Sequence, residues 1–358
     1  MLVTRQRLDE ILAGFADATI AVVGDFFLDK YLEIDPALSE TSVETGLEAR
    51  QVVGVRCQPG AAGTVVANLC ALGIGRVVCV GFVGDDGEGY ELLRGLRGMG
   101  ADASGMRTRA DRFTPTYCKP LVRRPEGGVR ELERLDTKNR MPLPADLREE
   151  LIGEVRGLAG EVQGVIAQDQ VEEPECGVIG SEMRAALAAL AAQHPEAVWF
   201  GDSRIRVGEY RGLIVKPNRE EACRAVHPEV PAHDAGGANR CAAALSARVG
   251  RPVYLTLGGE GMALVTAGRA QSLPTAPLEG ELDIVGAGDS ATAGIVAGLC
   301  AGATPEEAGM LGNIAASITV QQIGTTGTAT QEQISARFEQ YEEVWRDLPP
   351  PVAVPSKG

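Results

Sequence analysis

Short runs of β-branched and aliphatic residues recur along the chain and alternate with longer stretches of helical spacing. The runs are TIAVVG at 19–24, RVVCVG at 76–81, GVIA at 164–167, AVWF at 197–200, LIV at 213–215 and VYLTL at 253–257. Runs this short and this uniformly apolar read as parallel strands buried on both faces. Between them, 88–99, 181–192 and 238–249 place apolar residues three and four apart, which predicts helices. The alternation predicts an α/β fold: a doubly wound, mostly parallel sheet flanked by helices.

Two segments break the rhythm. Residues 30–57 and 112–136 are rich in Thr, Val, Glu and Arg and carry turn signals, so they read as antiparallel strands inserted into the α/β core. A small inserted sheet of this kind serves as a lid. No internal repeat or second domain is visible, so 1–345 reads as one domain and the proline-rich 346–358 as an extended tail.

Composition narrows the function. The 358 residues include 49 acidic and 34 basic ones, a net charge of −15 that would repel a phosphate backbone. Nucleic acid is not an expected partner. The eight cysteines form no C-x-x-C pair and sit mostly in apolar runs, so they read as small core residues in a reducing compartment. The N-terminus is an amphipathic helix pattern rather than a signal peptide, and 63–83 is interrupted by Asn68, Gly73, Gly75 and Arg76. A cytoplasmic protein that crosses no membrane is expected.

The segment DIVGAGDSATAG at 283–294 sets two glycines, Gly286 and Gly288, and Asp289 at the start of a small-residue helix. Free amides at a helix N-terminus, with the positive end of its dipole, form an anion site, and Gly286, Ala287 and Gly288 let a phosphate approach the backbone. Asp289 reads equally as a base that takes a proton from an attacking hydroxyl or as a helix cap. TLGGEG at 256–261 places a glycine loop at the carboxyl end of a strand, where α/β folds bind ligands. In KPNREEA at 216–222, Asn218 and Glu221 suit a hydrated Mg²⁺ or, as readily, a capping box. Asp25 and Asp29, just past the first strand, can accept hydrogen bonds from sugar hydroxyls or simply cap a turn.

In order and spacing these motifs resemble the ribokinase family of carbohydrate kinases, also called the phosphofructokinase B family. DIVGAGDSATAG is similar to its C-terminal signature and PGAAGTVVANLCALG, 59–73, to its N-terminal one; the likeness runs over roughly 19–330. The resemblance implies a ribokinase-like fold, ATP and Mg²⁺ as requirements, and Asp289 as the catalytic base beside a phosphate held by 286–288. It implies an N-x-x-E motif at Asn218 and Glu221 that organises Mg²⁺ through water, and a monovalent cation, K⁺, near Asp283. Thr256, Gly258, Gly259, Gly261 and Asn313 match the adenine-nucleotide pocket, while Asp29 and the Gly60 turn match the sugar side, where Asp25, Ala61, Thr64 and Asp169 also fall. Relatives commonly form homodimers through the lid.

Within the family the chain looks most like kinases that phosphorylate heptose 7-phosphate at carbon 1. On that likeness Lys119, Arg134 or Arg204 would hold the substrate's phosphate, although each reads equally as a surface ion pair. A kinase of a free sugar or nucleoside, and a silent sugar-phosphate sensor, are the alternatives. No nucleotidyltransferase module follows residue 345, so activation of the product is expected to need another protein. Ala61 and Thr64 stand where the family shows glycine and asparagine, and Asp169 lacks the aromatic, lysine and glycine that usually follow. The chain contains no G-K-[ST], no G-x-G-x-x-G after its first strand and no G-x-S-x-G, which sets aside the P-loop, nicotinamide and serine-hydrolase readings. No plausible zinc ligand set is present.

Overall fold

Alternate residues of the strand Thr19–Gly24, β1, enter two different cores. Ile20 and Val22 pack into one buried cluster, Ala21 and Val23 into the other. Side chains of a strand alternate faces, so a strand apolar throughout is covered on both. The computed structural model describes residues 3–124, 127–231, 233–324, 326–346, 348 and 350–354. Positions 125–126 of the expected lid and 347, 349 and 355–358 of the expected tail lie outside the described residues.

Helix α1 (Arg5–Ala13) precedes β1, and β2 (Phe26–Thr41), β3 (Glu48–Ala61), α2 (Ala62–Ala71), β4 (Arg76–Gly84), α3 (Gly87–Gly98) and β5 (Asp102–Arg109) follow it. Next come β6 (Thr116–Arg123), β7 (Val129–Glu131), β8 (Leu135–Thr137), α4 (Ala145–Leu158), β9 (Gly164–Asp169), α5 (Ser181–Gln193), β10 (Val198–Ser203) and β11 (Ile214–Val215). The chain continues through α6 (Arg219–Val226), α7 (Ala235–Val249), β12 (Val253–Thr256), β13 (Met262–Thr266) and β14 (Arg269–Leu273). It closes with α8 (Ala287–Cys300), α9 (Pro305–Thr319), α10 (Gln331–Trp345) and β15 (Val352–Ala353).

The main sheet runs β15-β14-β13-β12-β11-β10-β9-β1-β4-β5. Its pairings from β5 to β12 are parallel, and β13, β14 and β15 add an antiparallel edge. One core buries residues of α1, α2, α3, α8, α9 and α10 against the sheet, and the other those of α4, α5, α6 and α7. Each face of the sheet therefore has its helical layer, as a doubly wound fold requires. The cysteines are all unpaired. No helix among the described residues is long and apolar enough to cross a membrane. Part of the expected tail is sheet, because Val352 and Ala353 pair with Ala270 and Arg269.

The second sheet, β3-β2-β6-β7 with β8 also on β6, is the inserted element. Its strands were expected to be antiparallel, and one pairing is not: β2 and β6 run parallel from Leu28–Thr116 to Ile34–Val122. The reason lies in the core. β2 follows β1 and β6 follows β5, and β1 and β5 point the same way, so both lid strands leave the same edge in one direction.

At the junction of lid and core, Ala61 precedes α2 with φ 52° and ψ −117°. Glycine occupies this region freely and a residue with Cβ does not, so holding Ala61 there costs about 1–3 kcal/mol. Its pairing with Phe26 and the bond from Ala62 N to Asp25 O impose the conformation. Ala61→Gly is expected to stabilise the fold by about 1 kcal/mol, since the extra unfolded-state freedom of glycine offsets only part of the relieved strain. A urea midpoint that falls in this variant would contradict the strain.

Candidate active site

β1 is the strand at which the order of the main sheet reverses, with β4 and β5 on one side and β9 to β12 on the other. In open α/β sheets the crevice outside the carboxyl ends of the strands at such a point receives ligands. Here those ends supply Asp25 after β1, Gln168 and Asp169 in β9, Asp202 in β10, Lys216 after β11 and Thr256 in β12. The N-terminus of α8 meets them from the opposite side.

Asp289, in the first turn of α8, accepts a hydrogen bond from Gln168 Nε2 at 2.8 Å. The residue is partly exposed, yet its carboxyl is enclosed enough that burial, and then the charge of Asp202, raise its pKa to about 7. Lys216 is buried with Nζ 3.1 Å from Asp202 Oδ2, which also accepts from Thr292 Oγ1 at 3.1 Å. Burial opposes the Lys216 ammonium, but Asp202 and Glu221 outweigh it and hold the group charged. Burial and Asp202 raise the Glu221 carboxyl to about 7. Three carboxylates and one ammonium thus share the head of α8.

The turn before α8 brings this ammonium close to the backbone. A Cβ on Gly288 would stand 3.4 Å from Lys216 Nζ. Gly286 has φ 81°, and a Cβ there would lie 2.6 Å from Thr326 Cγ2, so the turn needs glycine for conformation and for space. The amides of Gly288 and Asp289 precede the first residue that can find an intrahelical acceptor, which is Ser290 bonding to Gly286 O at 3.0 Å. Free amides, a helix dipole and a buried ammonium converge as an anion site.

Asn218 and Glu221 form the capping box of α6: Glu221 N donates to Asn218 Oδ1 at 2.9 Å, and Asn218 N to Glu221 Oε2 at 2.8 Å. The Asn218 oxygen is therefore committed to the helix. Glu221 caps and also stands in the acidic cluster. Next to it, Thr256 N donates to Pro217 O at 2.9 Å, and Gly258 and Gly259 border open space while Gly261 packs against Leu273 O. Asn313 is buried and donates to Leu273 O at 2.7 Å, so it fastens the strand leading toward this loop. Asp283 accepts from Val285 N at 3.1 Å and from Gly324 N at 3.3 Å.

On the other side of the crevice, the buried Asp25 receives the amides of Gln170, Val171 and Val178 at 2.7–3.0 Å. Asp169 receives Ser203 Oγ at 2.7 Å and pairs with Arg206 at 3.1 Å; burial and then Asp25 raise it to about 7. These two carboxylates fasten the 170–178 segment. Arg204 bonds Gln170 Oε1 at 2.8 Å, and its charge acts on Asp289. Asp29 lies at the lid root with Lys119 Nζ 2.9 Å away, and a Cβ on Gly60 would collide with its Oδ2 at 2.7 Å. Thr64, buried on α2, lies near Gly286, whose added Cβ would be 3.5 Å from its Cγ2. Arg134 chelates Asp136 at 2.6 and 2.8 Å and stacks 4.0 Å over Tyr117.

The structure thus unites Asp289, Gly286, Gly288 and Glu221, and adds Gln168, Asp202 and Lys216, which the sequence analysis did not single out. Their signal was a polar residue ending an otherwise apolar run: GVIA before Gln168, VWFG before Asp202 and LIV before Lys216. No three carboxylate, His or Cys side chains among the described residues are grouped to hold a bare metal ion, so the donor set suits a divalent cation that keeps most of its waters. Asp202 disfavours the ionised forms of Glu221 and Asp289, and hard oxygen donors beside an anion site are what Mg²⁺ takes. Glu221 and Asp202 are the residues here that would hold it. A cavity of about 890 Å³ lies elsewhere, lined by His227, Arg240, Arg251 and Val354 and containing none of these groups.

Comparison with known proteins agrees with this geometry. The profile of the pfkB family carbohydrate kinases matches residues 213–332. The chain is 32% identical over 340 residues to the bifunctional protein HldE of Pelobacter propionicus, covering 93% of this chain and 66% of that protein. It is 30% identical to the HldE of Gluconobacter oxydans, covering 92% and 66%. The chain thus spans about two thirds of the length of these curated relatives. Among solved structures, Arabidopsis thaliana ribokinase complexed with ribose and ATP superposes with a TM-score of 0.66 at 19% identity, covering 90% of this chain and 99% of that one. Escherichia coli phosphofructokinase-2 in complex with potassium gives 0.68 at 18% identity, covering 90% and 98%. The fold is ribokinase-like.

Lys216→Met would leave Asp202 a buried carboxylate without its partner, at an expected cost of about 3 kcal/mol in urea denaturation at neutral pH. Adding Asp202→Asn is expected to recover much of that loss, and strictly additive losses would refute the pairing.

Proposed function

Because this chain carries a pfkB-family carbohydrate kinase domain, we propose that it transfers the γ-phosphate of ATP to carbon 1 of heptose 7-phosphate. As a carbohydrate kinase it is an ATP-dependent phosphotransferase. The observation that carries the mechanism is the Asp289 carboxyl, oriented by Gln168 at the head of α8 beside the buried Lys216. In this reading Asp289 takes the proton of the acceptor hydroxyl, and a pKa near 7 suits a base working at neutral pH. The free amides of α8 and Lys216 hold charge on the transferring phosphate. Mg²⁺, when bound with ATP, supplies positive charge across the phosphate oxygens.

The sugar lies toward Asp29, whose approach to the backbone Gly60 permits, and the nucleotide toward the loop from Thr256 to Gly261. The lid closes over the acceptor and keeps water from competing with it. Exposed Leu47, Val52, Val55 and Leu135 give the lid an apolar surface that a second copy of the chain would cover. The likeness of VVGDFFLDKYL, TPTYCKP and ELERLD to heptose 7-phosphate kinases supports the substrate. A kinase of an unphosphorylated sugar is the second reading, favoured by Glu172 and Glu173 following Asp169 where the family has a lysine.

The test is ATP consumption with Mg²⁺ over free sugars, nucleosides and sugar phosphates including heptose 7-phosphate. Turnover on free sugars alone would replace the substrate and keep the chemistry. Asp289→Asn is expected to lower kcat about a thousandfold while ATP still binds, and normal turnover would remove the base. A carboxyl raised to about 7 is protonated and idle below that pH, so kcat/KM should climb with pH and level off above about 7. A profile flat from pH 5.5 to 8 would contradict the assignment.

A further inference from the structure

Three lid strands align their side chains in rungs across one face. Tyr31 of β2 is flanked by Arg56 of β3 and Lys119 of β6, and two residues nearer the core Asp29 is flanked by Gln58 and Tyr117. Residues two apart on a strand share a face and lie about 7 Å apart, so these are successive rungs of one surface. The inner rung adjoins the anion site: Gln58 Nε2 donates to Thr326 Oγ1 at 2.9 Å, and Thr326 abuts Gly286.

The outer rung is cationic. The Arg56 guanidinium lies 3.8 Å from the centre of the Tyr31 ring and Lys119 Nζ 4.8 Å from it. Lys119 has Asp29 to balance it. Arg56 has no carboxylate ion partner among the described residues; it donates to Gln58 Oε1 at 3.0 Å and to Gly324 O at 3.4 Å, both neutral. A guanidinium has five donors, so others remain for a ligand. A chain of net charge −15 thus fixes an uncompensated guanidinium on the lid surface that adjoins the cleft, while the segment after Asp169 offers Gln170, Val171, Glu172 and Glu173 and no cation.

We propose that Arg56, with Lys119 across the Tyr31 ring, binds a phosphate on the acceptor at the end remote from the reacting hydroxyl. A molecule with its reactive end at Asp289 and its hydroxyls on Asp29 extends toward this rung. The planar fork of arginine matches phosphate oxygens two at a time, and the ring beneath keeps it in place. The proposal rests on the sugar-kinase reading and adds the residue, Arg56 of β3, by which this chain would tell a phosphorylated acceptor from a free one.

Calorimetric titration of the full chain, with Mg²⁺ and a non-hydrolysable ATP analogue, tests it on two matched pairs: heptose 7-phosphate against heptose, and ribose 5-phosphate against ribose. Wild type is expected to bind the phosphorylated member at least tenfold more tightly in one pair or both. Arg56→Gln should reduce that preference to threefold or less, and Arg56→Lys, which keeps the charge without the fork, should fall between. An unchanged preference in Arg56→Gln, or none in wild type, overturns the proposal. Because binding is read without turnover, the two readings separate. An Arg56-dependent preference in a protein that phosphorylates nothing sustains the subsite and sinks the kinase assignment. Turnover of free sugars with no phosphate preference does the reverse.

Discussion

Carboxylates gathered at the ends of parallel strands repel one another, and this cleft holds them together through one buried ammonium. Lys216 stands between Asp202 and the head of α8, with Glu221 and Asp289 nearby. Without it, burial would drive the acids toward their neutral forms. With it, one oxygen cluster retains ionised character and an adjacent patch of backbone stays attractive to phosphate. The same residue answers a stability problem and prepares a binding surface.

Much of this was legible beforehand. Six short apolar runs became β1, β4, β9, β10, β11 and β12, because a strand buried on both faces tolerates few polar positions. The GAGD turn was readable because glycine and aspartate at a helix start are chemically unusual as a pair. Lys216, Asp202 and Gln168 were not, because each is one polar residue ending a strand, and only the sheet order brings three strand ends together. The parallel pairing of β2 and β6 escaped for a related cause. Composition reports that a segment is extended, whereas direction is set by where the core releases it.

Other residues read as ligands turned out to have structural occupations. Asp25 and Asp169 hold the 170–178 segment through amides, Ser203 and Arg206, and Asn313 holds the Leu273 carbonyl. A buried carboxylate with several donors around it is a fastener as well as a charge. In this chain that fastening secures the segment after Asp169, so the loop on that side of the crevice rests on a fixed polar footing.

The parallel pairing of lid strands has a consequence for how the molecule assembles. Leu28 and Thr116 meet across β2 and β6 although they are roughly 90 residues apart in the chain, a long loop to close, whereas β2 with β3 and β6 with β7 pair locally. In the chain β2, β3 and α2 all lie between β1 and its partner β4, so core and lid are interleaved in sequence. Each half of the lid is thus a local hairpin while the seam between them is not, so the surface over the cleft becomes continuous only where the core sets β1 and β5 in one direction.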